Sequence, residues 1–202
     1  MAEAMNSAGV GWQATAKRIR VPMGFAFAAV FLLLAHPTIF TLAGSLFLVL
    51  PGLWLRAYAG GYVRKNAELT TTGPYAYTRN PLYLGSMLIA FGFAFASASV
   101  LIFLLLASLF VAIYVPTIQS EEAYLRANFA GFDVYAARVP RLLPRLISRL
   151  PPRSGQDASN HVRGTFSRQL YLKHREYNSA MGAAAIYGVL VLRLFFANHR
   201  LF

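Results

Sequence analysis

Five apolar runs, at residues 21–35, 38–55, 81–98, 100–115 and 180–197, hold almost no charge, and all but one of the Arg, Lys, Asp and Glu residues of the chain lie outside them. A helix of roughly eighteen residues is about 27 Å long, close to the hydrocarbon thickness of a bilayer. Backbone N–H and C=O groups cannot be left open in hydrocarbon, so runs of this kind are helical. Only 13% of residues are charged, against about 25% in an average soluble protein. With 57% hydrophobic residues, a water-soluble fold of 202 residues would carry more apolar surface than it could bury. The expected fold class is therefore all-α, a polytopic membrane helix bundle of about five transmembrane helices.

The joins refine this. No small-residue cleavage pattern follows Ala35, and the next run begins just after His36 and Pro37, so the first run reads as a span rather than a leader. That join and Ser97–Ser99 read as uncharged turns of two helical hairpins. Residues 1–150 form the expected membrane domain and residues 151–179, opening on Pro151 and Pro152, a linker. Residues 180–197 add a last hydrophobic helix, either a fifth span or a helix lying at the interface.

Net charge is +12, but it is segregated. Residues 117–178 carry ten Arg and Lys against five Asp and Glu. Positive segments stay on the cytoplasmic side, which puts the N-terminus and both basic loops, 56–80 and 117–178, in the cytoplasm of a multi-pass integral membrane protein. Arg138, Arg141, Arg145, Arg149 and Arg153 alternate with leucines, so residues 138–153 are expected at anionic lipid headgroups and not on nucleic acid. Cysteine is absent, which excludes thiolate chemistry, and the four histidines show no ligand spacing, so no metal is expected.

Two charged segments carry possible chemistry. In residues 67–85, AELTTTGPYAYTRNPLYLG, Gly73 and Pro74 make residues 70–72 extended or irregular, exposing backbone polar groups that need a partner. Pro81 sits where a helix starts, with Asn80 as its N-cap, and the free amides there suit an anionic group. Tyr75, Tyr77 and Tyr83 could stack on an aromatic base or simply form an interfacial aromatic belt. In residues 120–135, SEEAYLRANFAGFDVY, the spacing of Glu121, Leu125 and Phe129 continues the fourth run as a helix with Glu121 on its buried stripe. A carboxylate there could accept ribose hydroxyls, pair with Arg79, or belong to a solvated face.

Together the two segments resemble the isoprenylcysteine carboxyl methyltransferase family and its relatives, the membrane phospholipid methyltransferases. The likeness covers residues 55–144. It rests on a threonine-rich stretch before Gly73-Pro74-Tyr75, on Arg79-Asn80-Pro81-Leu82-Tyr83-Leu84-Gly85, and on Glu121-Glu122-Ala123-Tyr124-Leu125 followed by Phe129, Gly131 and Tyr135. The resemblance implies S-adenosyl-L-methionine held by the cytoplasmic segments. Ala67, Glu68, Leu69, Thr70 and Tyr75 would line it, Asn80, Pro81, Leu82 and Tyr83 would form a second wall, and Glu121 would hold it with Glu122 as companion. Gly60 would also approach the cofactor, Arg79 would brace the loop, and Gly85 would permit close helix contact. No catalytic acid or base is implied with certainty; Arg79, Glu121 and Glu122 are positioning residues.

Three departures stand out. Asn80 and Ala67 stand where the family often has histidine, and Thr117 stands where the prenylcysteine enzymes carry an arginine facing the substrate carboxylate. The implied activity is methyl transfer to a lipid or other hydrophobic acceptor, a carboxylate, thiol or amine, by direct displacement. The rival readings are an NADPH-dependent sterol-type membrane reductase, which shares an Arg-x-Pro-x-Tyr-x-Gly pattern, and a non-catalytic membrane scaffold or lipid-binding protein.

Overall fold

A computed structural model describes residues 27, 29–64, 68–145 and 165–199. Of the residues singled out above, Ala67, Arg149 and Arg153 lie outside the described residues, as do the start of the first apolar run and most of the expected linker.

Among the described residues every regular element is helical, in agreement with the expected bundle. Residues 29–34 are helical and lead to α1, Ile39–Gly60. A single 3-10 turn, Gly73–Ala76, precedes α2, Pro81–Ala96, and α3, Val100–Asn128. Two short helices, α4 at Phe132–Arg138 and α5 at Arg168–Lys173, come before α6, Tyr177–His199. Three helices, α1, α3 and residues 177–197 of α6, are long and apolar enough to cross a membrane. Of the other two apolar runs, α2 has 16 residues, about 24 Å against a hydrocarbon core of roughly 30 Å, and the first run is only partly described. Conversely α3, with 29 residues, runs about 43 Å and continues well past the apolar run into the Glu121 segment.

Both uncharged joins are turns. Thr38 caps α1 in a reciprocal box with Thr41, and Ser99 caps α3 by accepting from the Ile102 amide at 3.4 Å. The two turns meet, His36 N–H donating to the Ser97 carbonyl at 2.8 Å.

Helix contact depends on small residues, because lipid tails are as apolar as leucine and the hydrophobic effect does not drive helices together. A Cβ on Gly85 would stand 2.8 Å from the Gly52 carbonyl oxygen, and one on Gly52 would stand 2.8 Å from that of Gly85. A Cβ on Gly92 would lie 2.5 Å from Val49 Cγ2. The expected role of Gly85 is therefore met. Phe40, Phe47 and Trp54 of α1 are exposed at a seven-residue spacing, as a lipid-facing side would be. The core lies between: Phe31, Val49, Phe93 and Ile102 pack with Ala183 and Leu190 of α6.

Candidate functional site

The predicted motifs converge at the end of the bundle away from the two turns. Gly73 takes φ +60°, which an L side chain seldom adopts, and the following Pro74 leaves residues 70–72 irregular, as expected. This lets the chain bend from residues 70–72 into the 3-10 turn. Pro81 opens that helix because its missing N–H would have had no helical partner there.

Tyr77 is exposed, but Thr78 and Asn80 are buried and Arg79 is partly buried. The segment after α4 pairs with them: Arg79 N–H donates to the Pro140 carbonyl at 2.9 Å and Arg145 N–H to the Tyr77 carbonyl at 3.1 Å. Thr78 Oγ1 donates to the Leu142 carbonyl at 2.9 Å, and Asn80 Nδ2 donates to the Arg141 carbonyl at 2.9 Å. Asn80 is thus the residue before the helix, but its side chain makes no capping bond. It is spent on the returning segment at Arg141.

The adjacent carboxylates of α3 have separate fates. Glu121 is exposed and Glu122 is 5% exposed, so the buried stripe carries Glu122 and not Glu121. The physical reason is the helical step: neighbouring residues diverge by about 100°, and Arg79 and Arg141 lie on the side of Glu122. Arg79 Nη1 stands 3.1 Å from one Glu122 oxygen and Arg141 Nη2 2.8 Å from the other. Arg141 Nε adds contacts of 3.1 and 3.2 Å. Hydrogen bonding to Glu122 raises the already high pKa of Arg141.

Glu121 instead accepts from the Tyr83 hydroxyl at 2.7 Å, joining the start of α2 to α3. Tyr83 also packs edge-on against Tyr114. Beneath them Tyr135 donates from its hydroxyl to the Tyr75 carbonyl at 2.7 Å, fixing α4 under the 3-10 turn. Burial raises the pKa of both phenols; the Tyr135 and Glu121 charges push Tyr75 further up, whereas Arg79 opposes the rise at Tyr135.

Around this centre the other predicted residues divide. Leu69 packs on the Phe132, Tyr135 and Val139 cluster. Thr70 Oγ1 accepts from the Arg64 amide at 3.4 Å, and Glu68 pairs with Arg64 at 3.5 Å. Pro81 is fully buried, and Leu82 is half-buried. Gly60 is buried against another part of the chain: a Cβ there would meet Glu176 Cγ at 2.6 Å, and its carbonyl faces His174 Nδ1 at 3.0 Å. Thr117 donates its hydroxyl to the Ile113 carbonyl of its own helix at 2.6 Å.

One polar cluster escaped the sequence reading. Arg56, at the end of α1, pairs with Glu176 at 2.9 Å and donates from Nε to Ser179 at 3.1 Å. Its Nη1 also reaches Ser86 of α2 and, at 3.4 Å, the Leu82 carbonyl. The only local signal was a lone acid, Glu176, just before an apolar run.

Among the described residues no three His, Asp or Glu side chains gather as a metal site would require. A single buried donor, Arg79 Nε, finds no hydrogen-bond partner among the described residues.

Comparison with known proteins places this site in a family context. Residues 40–131 match the family model described as phospholipid methyltransferase. The resemblance drawn from the two charged segments holds over that stretch, which contains α1, the 3-10 turn, α2 and α3. The nickel-cobalt-cadmium resistance protein NccN of Alcaligenes xylosoxydans xylosoxydans is 40% identical over 94 residues, 46% of this chain and 43% of its own length. The cobalt-zinc-cadmium resistance protein CzcN of Cupriavidus metallidurans is 37% identical over 94 residues, with the same coverage. The chain thus spans less than half the length of the curated relatives it matches. No solved structure matches significantly.

Proposed function

We propose that this protein is an integral membrane methyltransferase that uses S-adenosyl-L-methionine to methylate a lipid or other hydrophobic acceptor, with its site at the end of the bundle bearing Arg79, Tyr83 and Glu121. The observation that carries the reading is the Tyr83–Glu121 bond of 2.7 Å, because it joins the two motif segments across α2 and α3 while leaving the carboxylate exposed. The residues fit the cofactor. An exposed carboxylate steadied on one oxygen retains acceptor capacity for a ribose diol, and the buried Arg79 Nε lacks a partner that a carboxylate would supply. When bound, S-adenosyl-L-methionine would supply an electrophilic methyl group on a cationic sulfonium, open to direct displacement.

The chain's own part is positioning and exclusion of water. Glu121 would orient the ribose through its free lone pairs. Arg79, held by Glu122, would keep its guanidinium plane fixed, so that an added hydrogen bond costs little ordering. Glu122 has both oxygens engaged by arginines, which suits a brace for the loop better than direct cofactor contact. The spent hydroxyl of Thr117 offers no cation for a prenylcysteine carboxylate, which favours other acceptors. The basic side chains Arg138 and Arg145, both exposed, would meet anionic headgroups, while Arg141 is taken by Glu122. Metal resistance is named for the two relatives, and is said of those proteins alone.

Calorimetric titration of S-adenosylmethionine and S-adenosylhomocysteine into the detergent-solubilised protein tests the reading. Glu121→Gln should weaken binding by about tenfold or more, the loss expected for a charge-assisted hydrogen bond, while Arg145→Gln should leave it unchanged. Saturable NADPH binding with none of S-adenosylmethionine would transfer the site to the reductase reading. Binding of neither by folded protein would favour the scaffold.

A further inference from the structure

Helix α6 leaves space against its neighbours. Between it, α2, the middle of α3 and helical residues near Phe31 lies a cavity of about 680 Å³ that is open along one side, within the volume range of roughly 300–1,000 Å³ usual for small-molecule sites. Phe27, Phe31, Ile89, Phe93, Leu106 and Ile186 line it with hydrocarbon. On the α6 wall Gly182, Ala183 and Ala185 stand beside Ile186 and Val189, and a Cβ built on Gly182 meets nothing within 4 Å. Small residues here keep the space open, whereas those between α1 and α2 close it.

Only one end of the cavity is polar, where Arg56, Ser86 and Ser179 reach the wall. The Arg56–Glu176 pair, at 2.9 Å, makes this end electrically neutral. A charged headgroup entering it would lose its water without meeting an uncompensated opposite charge. A neutral group needs only hydrogen bonds. Ser86 Oγ donates to the Leu82 carbonyl at 2.9 Å and accepts from Arg56. Ser179 Oγ accepts from Arg56 Nε at 3.1 Å and keeps its own proton to donate. A hydrocarbon chain gains little on moving from lipid into an apolar cavity, so selection falls to the head.

We propose that this cavity binds a neutral single-chain amphiphile, with its chain between α2 and α6 and its hydroxyl or carbonyl oxygen on Ser179 beside the Arg56–Glu176 pair. Six of the fifteen lining residues come from α6, outside the stretch that matches the methyltransferase family. Its polar end adjoins the first turns of α2, since Arg56 also reaches the Leu82 carbonyl, one residue from Tyr83. The site goes beyond the methyl-transfer reading and binds its ligand whether or not a methyl group moves.

The test uses the full chain in phosphatidylcholine nanodiscs, photolabelled with diazirine-tagged hexadecanol or with the sulfate ester of the same probe. The alcohol should label residues 81–96 and 177–197, and the sulfate about tenfold less. Gly182→Phe and Ala90→Phe, each projecting a ring into the cavity, should abolish this labelling, and Ser179→Ala should lower it several-fold. Equal labelling by alcohol and sulfate would overturn the proposal, since a plain lipid-facing groove makes no such choice. So would labelling that persists in both Phe variants. S-adenosylmethionine titration on the same samples separates the two readings: selective alcohol labelling without cofactor binding sinks methyl transfer alone, and cofactor binding without selective labelling sinks the amphiphile site alone.

Discussion

Two arginine–glutamate knots hold this protein together, and they differ in what they join. Glu122 draws Arg79 and Arg141 onto the end of α3, all three within residues 79–141. Glu176 draws Arg56 toward α6, tying the family-matched helices to a C-terminal element outside the match. In the first knot one buried carboxylate answers two cations; in the second, one cation meets one carboxylate and two serines. The first has an excess of positive charge on a buried anion, and the second is balanced. A knot of the first kind fails badly when its anion is removed, and a knot of the second kind can be replaced by well-packed apolar groups.

That difference sets the largest expected effect. Glu122→Ala leaves two guanidinium groups facing one another, one of them 14% exposed, and should cost about 3–5 kcal/mol, reduced somewhat because Arg141 is half-exposed. Thermal unfolding in detergent would show it, and a loss below about 1 kcal/mol would mean that the knot contributes little. For the balanced knot, Arg56→Met or Glu176→Met alone should destabilise by a few kcal/mol, whereas the double variant should recover most of the loss. Additive losses would break the comparison.

The smallest effect sharpens it from the side of pH. Burial raises the pKa of Tyr75 and Tyr135 in the folded protein, above the value near 10 that both take when unfolded. Their contribution is therefore fully present below about pH 10 and is lost as pH rises above it, since the unfolded chain releases the protons first. Ultraviolet titration should show the phenolate signal of these two residues only together with alkaline unfolding. Tyr135→Phe, which also deletes the bond to the Tyr75 carbonyl, should reduce stability by about 0.5–1.5 kcal/mol and flatten that dependence. Early ionisation of both residues in folded protein would place them in a wetter environment than the fold gives them.

The helices, their turns and the glycine contact at Gly85 were legible because each rests on local rules: apolar runs, Thr and Ser caps, and the space a missing Cβ allows. The irregular residues 70–72 before Gly73 were legible for the same reason. The partners of the motif residues were not. Asn80 looked like a cap and is bonded to the Arg141 carbonyl; Arg141, expected near lipid headgroups, also binds Glu122; Gly60, expected near a cofactor, also lies against Glu176. Each partner lies more than fifteen residues away along the chain, beyond the reach of periodicity or capping patterns.

The sequence by itself determined that this chain is a helical membrane bundle with its polar residues gathered at one end, because hydrocarbon tolerates backbone only as helix and rejects charge. Which carboxylate of the Glu121–Glu122 pair braces the loop and which remains available was decided only by the tertiary structure. A step of about 100° separates the two side chains on the helix, and the placement of Arg79 and Arg141 by the returning segment after α4 selects the one that turns inward.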